Sequence, residues 1–197
     1  MISETTLEID LSALKNNYFV LRSKIPRKTL LLAVVKAFAY GSDAIVVAKF
    51  LENLGVDYFA VAYVSEGIAL RNAGLKTPIL VLHPQPVNFK KAIEYKLEPS
   101  LYSEKVLTTF LAVAVEMNQT AFPVHIKFNT GLNRLGFSTS ATADTAAILT
   151  RESALSVKSV FSHLAASEDL QERNFTAKQI DTFSRACNVF ESIYGKV

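Results

Sequence analysis

A lysine closes an apolar run: Leu30-Leu31-Leu32-Ala33-Val34-Val35 leads into Lys36 and then Ala37-Phe38-Ala39-Tyr40-Gly41. Six apolar residues ended by a turn signal predict a buried strand of the parallel type, here Leu30 to Ala37. Lys36 then sits at the strand tip, where an ammonium is costly to bury unless paired or used. Position alone leaves two readings open. Either the stem packs while the head reaches water, or the amine is desolvated and suited to Schiff-base chemistry. A second segment, Val124 to Phe137, holds Lys127 inside a strand and Arg134 on a loop between Gly131 and Gly136. The planar guanidinium suits a carboxylate or another oxyanion, although a surface ion pair is the more ordinary role for a loop arginine. In a third segment, Val160 to Asp169, His163 ends a strand; there a packed, hydrogen-bonded imidazole competes with a functional one.

Such groups need a scaffold, and the chain alternates two kinds of segment. Strand-like runs cover Leu30 to Ala37, Tyr58 to Tyr63, Pro78 to His83, Leu97 to Tyr102, Val124 to Phe128 and Val157 to His163. Helical patterns fall between them at Ala44 to Leu54, Ser65 to Ala73, Val87 to Tyr95, Ser103 to Val115 and Ala141 to Leu149, with a last one at Thr176 to Ile193. An earlier helix starts near Asp10 or Ser12, either of which could cap it, with Leu11, Leu14, Tyr18 and Leu21 on one face. Strands joined by helices mean βαβ units and a parallel sheet. A doubly wound nucleotide fold would show a glycine-rich turn after its first strand, and Gly41 stands alone there. Gly131 and Gly136 have P-loop spacing, but Phe137 occupies the lysine position of that motif. A TIM-type (β/α)8 barrel fits better, because its active residues lie at the C-terminal ends of strands, where Lys36, His83 and His163 are found. Six strand–helix units fall short of the eight a barrel closes with over roughly 250 residues. An incomplete barrel, part of a longer protein, is therefore expected.

Composition narrows the function. Half of the 197 residues are hydrophobic, and the mean hydropathy is +0.23, enough for a sizeable core. No apolar stretch reaches the ~20 residues of a membrane span. Glu4, Glu8 and Asp10 occupy the place of a secretory signal's basic and apolar blocks. The single cysteine, Cys187, excludes an internal disulfide and suits a cytoplasmic location; its helical pattern with Ile180, Phe183 and Phe190 makes it buried filler. The net charge is +3, with Arg27-Lys28 and Lys90-Lys91 the only adjacent basic pairs, so no basic stripe points to nucleic acid. A mild positive balance instead suits a small anion such as a phosphate. His83, His125 and His163 lack metal-ligand spacing.

Taken together, Val35-Lys36-Ala37-x-Ala39-Tyr40-Gly41, Lys127-x-x-Thr130-Gly131-x-x-Arg134-Leu135-Gly136 and Ser162-His163 resemble the alanine racemases, fold type III enzymes that use pyridoxal 5'-phosphate (PLP). The opening Glu8-Ile9-Asp10-Leu11-Ser12-Ala13-Leu14-x-x-Asn17 is similar to the start of these enzymes, and the likeness runs in order along essentially the whole chain. The resemblance implies that Lys36 forms the internal aldimine and serves as one of two catalytic bases. It implies that Tyr40 contacts the cofactor phosphate, that Arg134 bonds the phenolic oxygen and steers the substrate carboxylate, and that His163 lies against the pyridine ring. Lys127 matches a position often carbamylated in the family.

The resemblance also implies a small amino-acid substrate, with L- and D-alanine interconverted to supply cell-wall synthesis. It implies a head-to-tail homodimer, and a second base, a tyrosine, supplied by a C-terminal domain of the partner beyond these residues. On that basis residues 1–11 form an N-terminal strand packing on the absent β domain, residues 12–197 form a partial PLP-binding barrel, and the isolated fragment is weak or inactive. Fusion to another cell-wall enzyme is compatible with the sequence. Phe38 stands where the family usually has Asn, Ser42 where it often has His, and Asn129 replaces a common Asp. Two other outputs compete: a single-domain PLP-homeostasis barrel, and a non-catalytic barrel remnant.

Overall fold

The computed structural model describes residues 5–197, in which parallel strands alternate with helices. Contacts divide the chain into two units, residues 1–85 with 94–97 and residues 86–93 with 98–197. In the first, helix α1 (Leu11–Ser23) begins at Asp10, whose carboxylate accepts from the amides of Ser12 and Ala13 at 2.8 and 3.0 Å. These bonds satisfy donors that an α-helix leaves free at its start. Strand β1 (Leu32–Val34) is followed by a short turn, α2 (Lys36–Gly41), and by helix α3 (Ala44–Asn53), which Asp43 caps in the same way. Strand β2 (Tyr58–Val61), helix α4 (Val64–Asn72) and strand β3 (Ile79–Val81) complete the unit. β1 pairs with β2 and β2 with β3, all parallel, with Val34 opposite Ala60 and Ala60 opposite Leu80. Phe59, Ala60, Ile79 and Val81 are buried, as central parallel strands require. Arg71 secures the end of α4 by donating to the carbonyls of Leu75, Thr77 and Tyr95.

The second unit holds helix α5 (Phe89–Glu94) except its last residue, strand β4 (Glu98–Leu101), helix α6 (Glu104–Glu116) and the long strand β5 (Phe122–Asn129). Strand β6 (Phe137–Ser138), helix α7 (Thr142–Arg151), strand β7 (Leu155–Phe161) and helix α8 (Arg173–Tyr194) follow. β5 is central, with β4 and β7 parallel on either side and β6 added at its end. Its side chains alternate: Val124, Ile126 and Phe128 join the core of Phe110, Leu149 and Phe190, which sends His125 and Lys127 to the opposite face.

Seven strands are present among the described residues, the six expected runs plus the short β6. The helices lie within a few residues of their expected bounds. One strand differs from expectation: β1 ends at Val34, and Leu30, Leu32 and Val34 are exposed rather than buried. β1 has β2 on one side, and among the described residues no strand on the other, so only part of its apolar set is covered. Of the expected N-terminal strand, residues 1–4 lie outside the described residues, and residues 5–10 form no strand. Cys187 is half-buried, and burial, helped by Glu191, pushes its thiol above the usual range. Among the described residues no helix is long and apolar enough to cross a membrane.

Candidate active site

In the first unit the chain leaves β1 through Val35, which is buried and donates its amide to the Ala60 carbonyl at 2.9 Å. Lys36 comes next, half-buried. It does not end the strand, as expected, but opens α2. There Ala37, Phe38, Ala39 and Tyr40 take φ values of 50, 56, 52 and 59°. Four consecutive non-glycine residues thus form a left-handed turn, a geometry costing about 1–2 kcal/mol at each residue because Cβ crowds the following carbonyl. Bonds from Ala39 N to Val35 O (3.0 Å) and Ser42 N to Phe38 O (2.7 Å) close it. Glu66, on α4, accepts from Ala37 N at 2.8 Å. The Lys36 ammonium lies 6.0 Å from the centre of the Tyr40 ring, the outer range of a cation–π contact. Tyr40 itself is 70 % exposed and Phe38 77 %. Past β3, the His83 ring meets Tyr63 edge-on with centroids 5.8 Å apart and hydrogen-bonds the Gln85 side chain.

In the second unit Lys127 lies on β5, 6 % exposed, with its ammonium 5.8 Å from the centre of the Phe161 ring. One step back on the same face, His125 bridges Glu98 (2.9 Å) and Ser159 (2.7 Å) in a buried chain across β4, β5 and β7. Beyond β5, Asn129 builds the loop: its Oδ1 accepts from the amides of Gly131 (3.1 Å) and Asn133 (3.0 Å). Asn133 has φ 57°, a conformation Asn tolerates. Arg134, exposed, stands on this loop. At Gly136, with φ +138°, a Cβ would meet Asn129 N at 2.5 Å and Phe128 C at 2.6 Å. Glycine is therefore required where the loop returns against β5. Ser162 ties the neighbouring loop down, donating to Phe128 O and meeting the Thr130 hydroxyl at 2.8 Å. His163 is exposed just past β7; its carbonyl accepts from Gln179, which also accepts from Ala165 N.

The expected residues fall into two sets: Lys36 with Tyr40 in the first unit, and Lys127, Arg134 and His163 in the second. A primary amine, a phenol, a guanidinium and an imidazole are each presented just after a parallel strand, where α/β folds carry their chemistry. Glu66, Gln179 and the Glu98–His125–Ser159 chain were missed from sequence. Glu66 had one local signal, a glutamate three residues after a helix start; the others depend on distant partners. Among the described residues no group of three or more His, Cys, Asp or Glu is placed to hold a metal ion.

The model of the alanine racemase N-terminal domain family matches residues 9–196. An alanine racemase of Citrifermentans bemidjiense is 34% identical over 186 residues, 92% of this chain and 49% of that protein. Among solved structures, an alanine racemase of Clostridium difficile in complex with cycloserine superposes with a TM-score of 0.90 at 28% identity, covering 95% of this chain and 51% of that one. An alanine racemase of Bartonella henselae with covalently bound pyridoxal phosphate gives 0.83 at 27% identity, covering 92% and 52%. The chain thus spans about half the length of the curated relatives it matches. The strand–helix alternation expected of a partial barrel is the fold of these neighbours' matched halves. On the match over residues 9–196, the chain belongs to the alanine racemase N-terminal domain family.

Proposed function

We propose that the natural protein is a PLP-dependent amino-acid racemase that interconverts L- and D-alanine for cell-wall synthesis, with Lys36 as its cofactor-bearing amine. One observation carries the reading: a half-buried lysine, held past a parallel strand by a left-handed turn, in a chain of this family. The donor set fits the cofactor. The Lys36 amine suits its aldehyde, the exposed Tyr40 hydroxyl its phosphate, the Arg134 guanidinium its ring oxygen, and the His163 imidazole the flat face of its pyridine ring. Bound PLP supplies the electron sink that acidifies the substrate Cα–H.

The chain's own residues do the rest. The Lys36 amine removes or returns the Cα proton on one face. Arg134 steers the substrate carboxylate through its two-pronged fork. Lys127 becomes a carbamate by adding CO2 to its neutral amine with loss of one proton, and the resulting anion fixes Arg134 in place of repelling it. The base for the opposite face lies, on this reading, outside these 197 residues, in the partner of a homodimer. Residues 1–11 would pack on that further domain, and residues 12–197 would form the cofactor-binding part.

The test is direct. Added PLP should give a visible absorption band, and borohydride should leave a pyridoxyl group on Lys36 by peptide mass. The natural gene product should then racemise alanine. Protein that stays colourless with Lys36 unmodified removes the reading, whereas labelled Lys36 without racemisation points to a cofactor-holding role. A native intact mass at neutral pH lacking the added CO2 would dismiss the modification of Lys127.

A further inference from the structure

We infer that Glu66 is a positioning residue for Lys36, an inference that rests on the function proposed above. Glu66 is the third residue of α4, and its two carboxylate oxygens serve two different segments. Oε2 accepts from the amides of Ala62 (2.6 Å) and Tyr63 (3.0 Å), at the corner between β2 and α4. Oε1 accepts from the amide of Ala37 at 2.8 Å, 29 residues earlier in the chain. Ala37 is the residue after Lys36 and the first of the four left-handed residues.

That turn needs an external hold. Its residues are not glycine, and its two large side chains, Phe38 and Tyr40, are mostly exposed, so their packing does not retain it. The bonds from Ala39 to Val35 and from Ser42 to Phe38 are internal to the turn and its ends. On one side of Lys36, the buried Val35 is tied to Ala60 of β2. On the other side, Ala37 is tied to Glu66. Lys36 is therefore clamped on both sides to the β2–α4 corner, which sets where its amine is held.

The chemistry requires a carboxylate of this length. Three N–H donors converge on it, and two acceptor oxygens can serve all three. A glutamine has one acceptor oxygen, and its NH2 would face an N–H group, so it can hold the corner or the turn but not both. An aspartate keeps both oxygens and the charge near the helix start but falls one methylene short of Ala37.

Glu66→Gln and Glu66→Asp are measured in the natural gene product. In the cofactor-free protein, amide hydrogen exchange at Ala37 should accelerate at least about tenfold, while Leu70 inside α4 keeps its protection. In the PLP-loaded protein, kcat for alanine should fall roughly ten- to a hundredfold at nearly constant KM, as expected of a misplaced reacting group. The cofactor's visible circular dichroism should change with it. Ala37→Gly, which reaches φ +50° without a Cβ penalty, should restore part of the loss in the Glu66→Gln background.

Wild-type exchange at Ala37 with wild-type kcat overturns the inference. So does equal loss of protection at Ala37 and Leu70 in both variants, which would mark Glu66 as a helix cap alone. Should Glu66→Gln fail to fold, Glu66→Asp carries the same test. A wild-type protein that takes no cofactor onto Lys36 defeats the proposed function instead, and the exchange at Ala37 still decides whether Glu66 holds the turn.

Discussion

The Lys36 turn and the Asn129–Gly136 loop both present a cationic side chain from backbone bent into left-handed geometry, yet they are held in opposite ways. The loop is self-sufficient: Asn129 folds it over its own next residues, and Gly136 lets it return against β5. The Lys36 turn contains no glycine before Gly41 and depends on Glu66, far along the chain. A site residue can thus be placed by local turn chemistry or by a remote anchor, and only the first kind is written near the residue it serves.

The largest expected effect separates the two cations by chemistry. Lys36→Ala should abolish the pyridoxyl label and lower alanine racemisation by about a hundred- to ten-thousandfold, the usual worth of a positioned base. Gly136→Ala tests the backbone of the other region. Its Cβ would strike backbone atoms at 2.5 and 2.6 Å, so thermal unfolding should report a loss on the order of 3 kcal/mol. Gly41→Ala supplies the contrast. Its φ is also positive, at +90°, but nothing lies within 4 Å of the added Cβ, so its cost should be nearer ~1 kcal/mol. Equal costs at the two glycines would mean that Gly136 answers to its φ alone.

Arg134→Lys keeps the charge but loses the planar fork. The proposed site then predicts a drop in kcat/KM of about tenfold, roughly one charge-assisted hydrogen bond. An effect as small as that at Gly41 belongs to Asn129. Asn129→Ala removes the acceptor of two backbone amides and should cost about 1 kcal/mol in denaturant unfolding, as a lost cap does. Asn129→Asp, which keeps that acceptor, should recover most of it. If Asp is no better than Ala, the loop is not held from Asn129 and the contrast between the two regions fails.

Much of the scaffold is legible in the sequence. The apolar runs at Tyr58–Tyr63 and Pro78–His83 became β2 and β3 because continuous burial leaves little choice but a parallel strand. Of the two candidate caps, Asp10 and Ser12, Asp10 is the one that caps α1. β1 is shorter and more exposed than its apolar run predicts, because such a run does not show how many neighbours its strand will have. The short β6 escaped notice because two residues, Phe137 and Ser138, carry no periodicity. The left-handed turn was equally silent: Ala37-Phe38-Ala39-Tyr40 has no residue type that favours φ > 0, and its geometry comes from the surroundings.

The sequence by itself determined the order of the six longer strands and of the helices between them, the candidate residues and the family, since each is expressed in residue type and short spacing. Tertiary structure alone decided that Lys36 follows the strand in a left-handed turn, that Glu66 accepts from Ala37, and that Gln179 ties down the His163 loop. These depend on hydrogen bonds between groups 14 to 29 residues apart. The closeness of such groups results from the chain's packing and leaves no pattern in neighbouring residues.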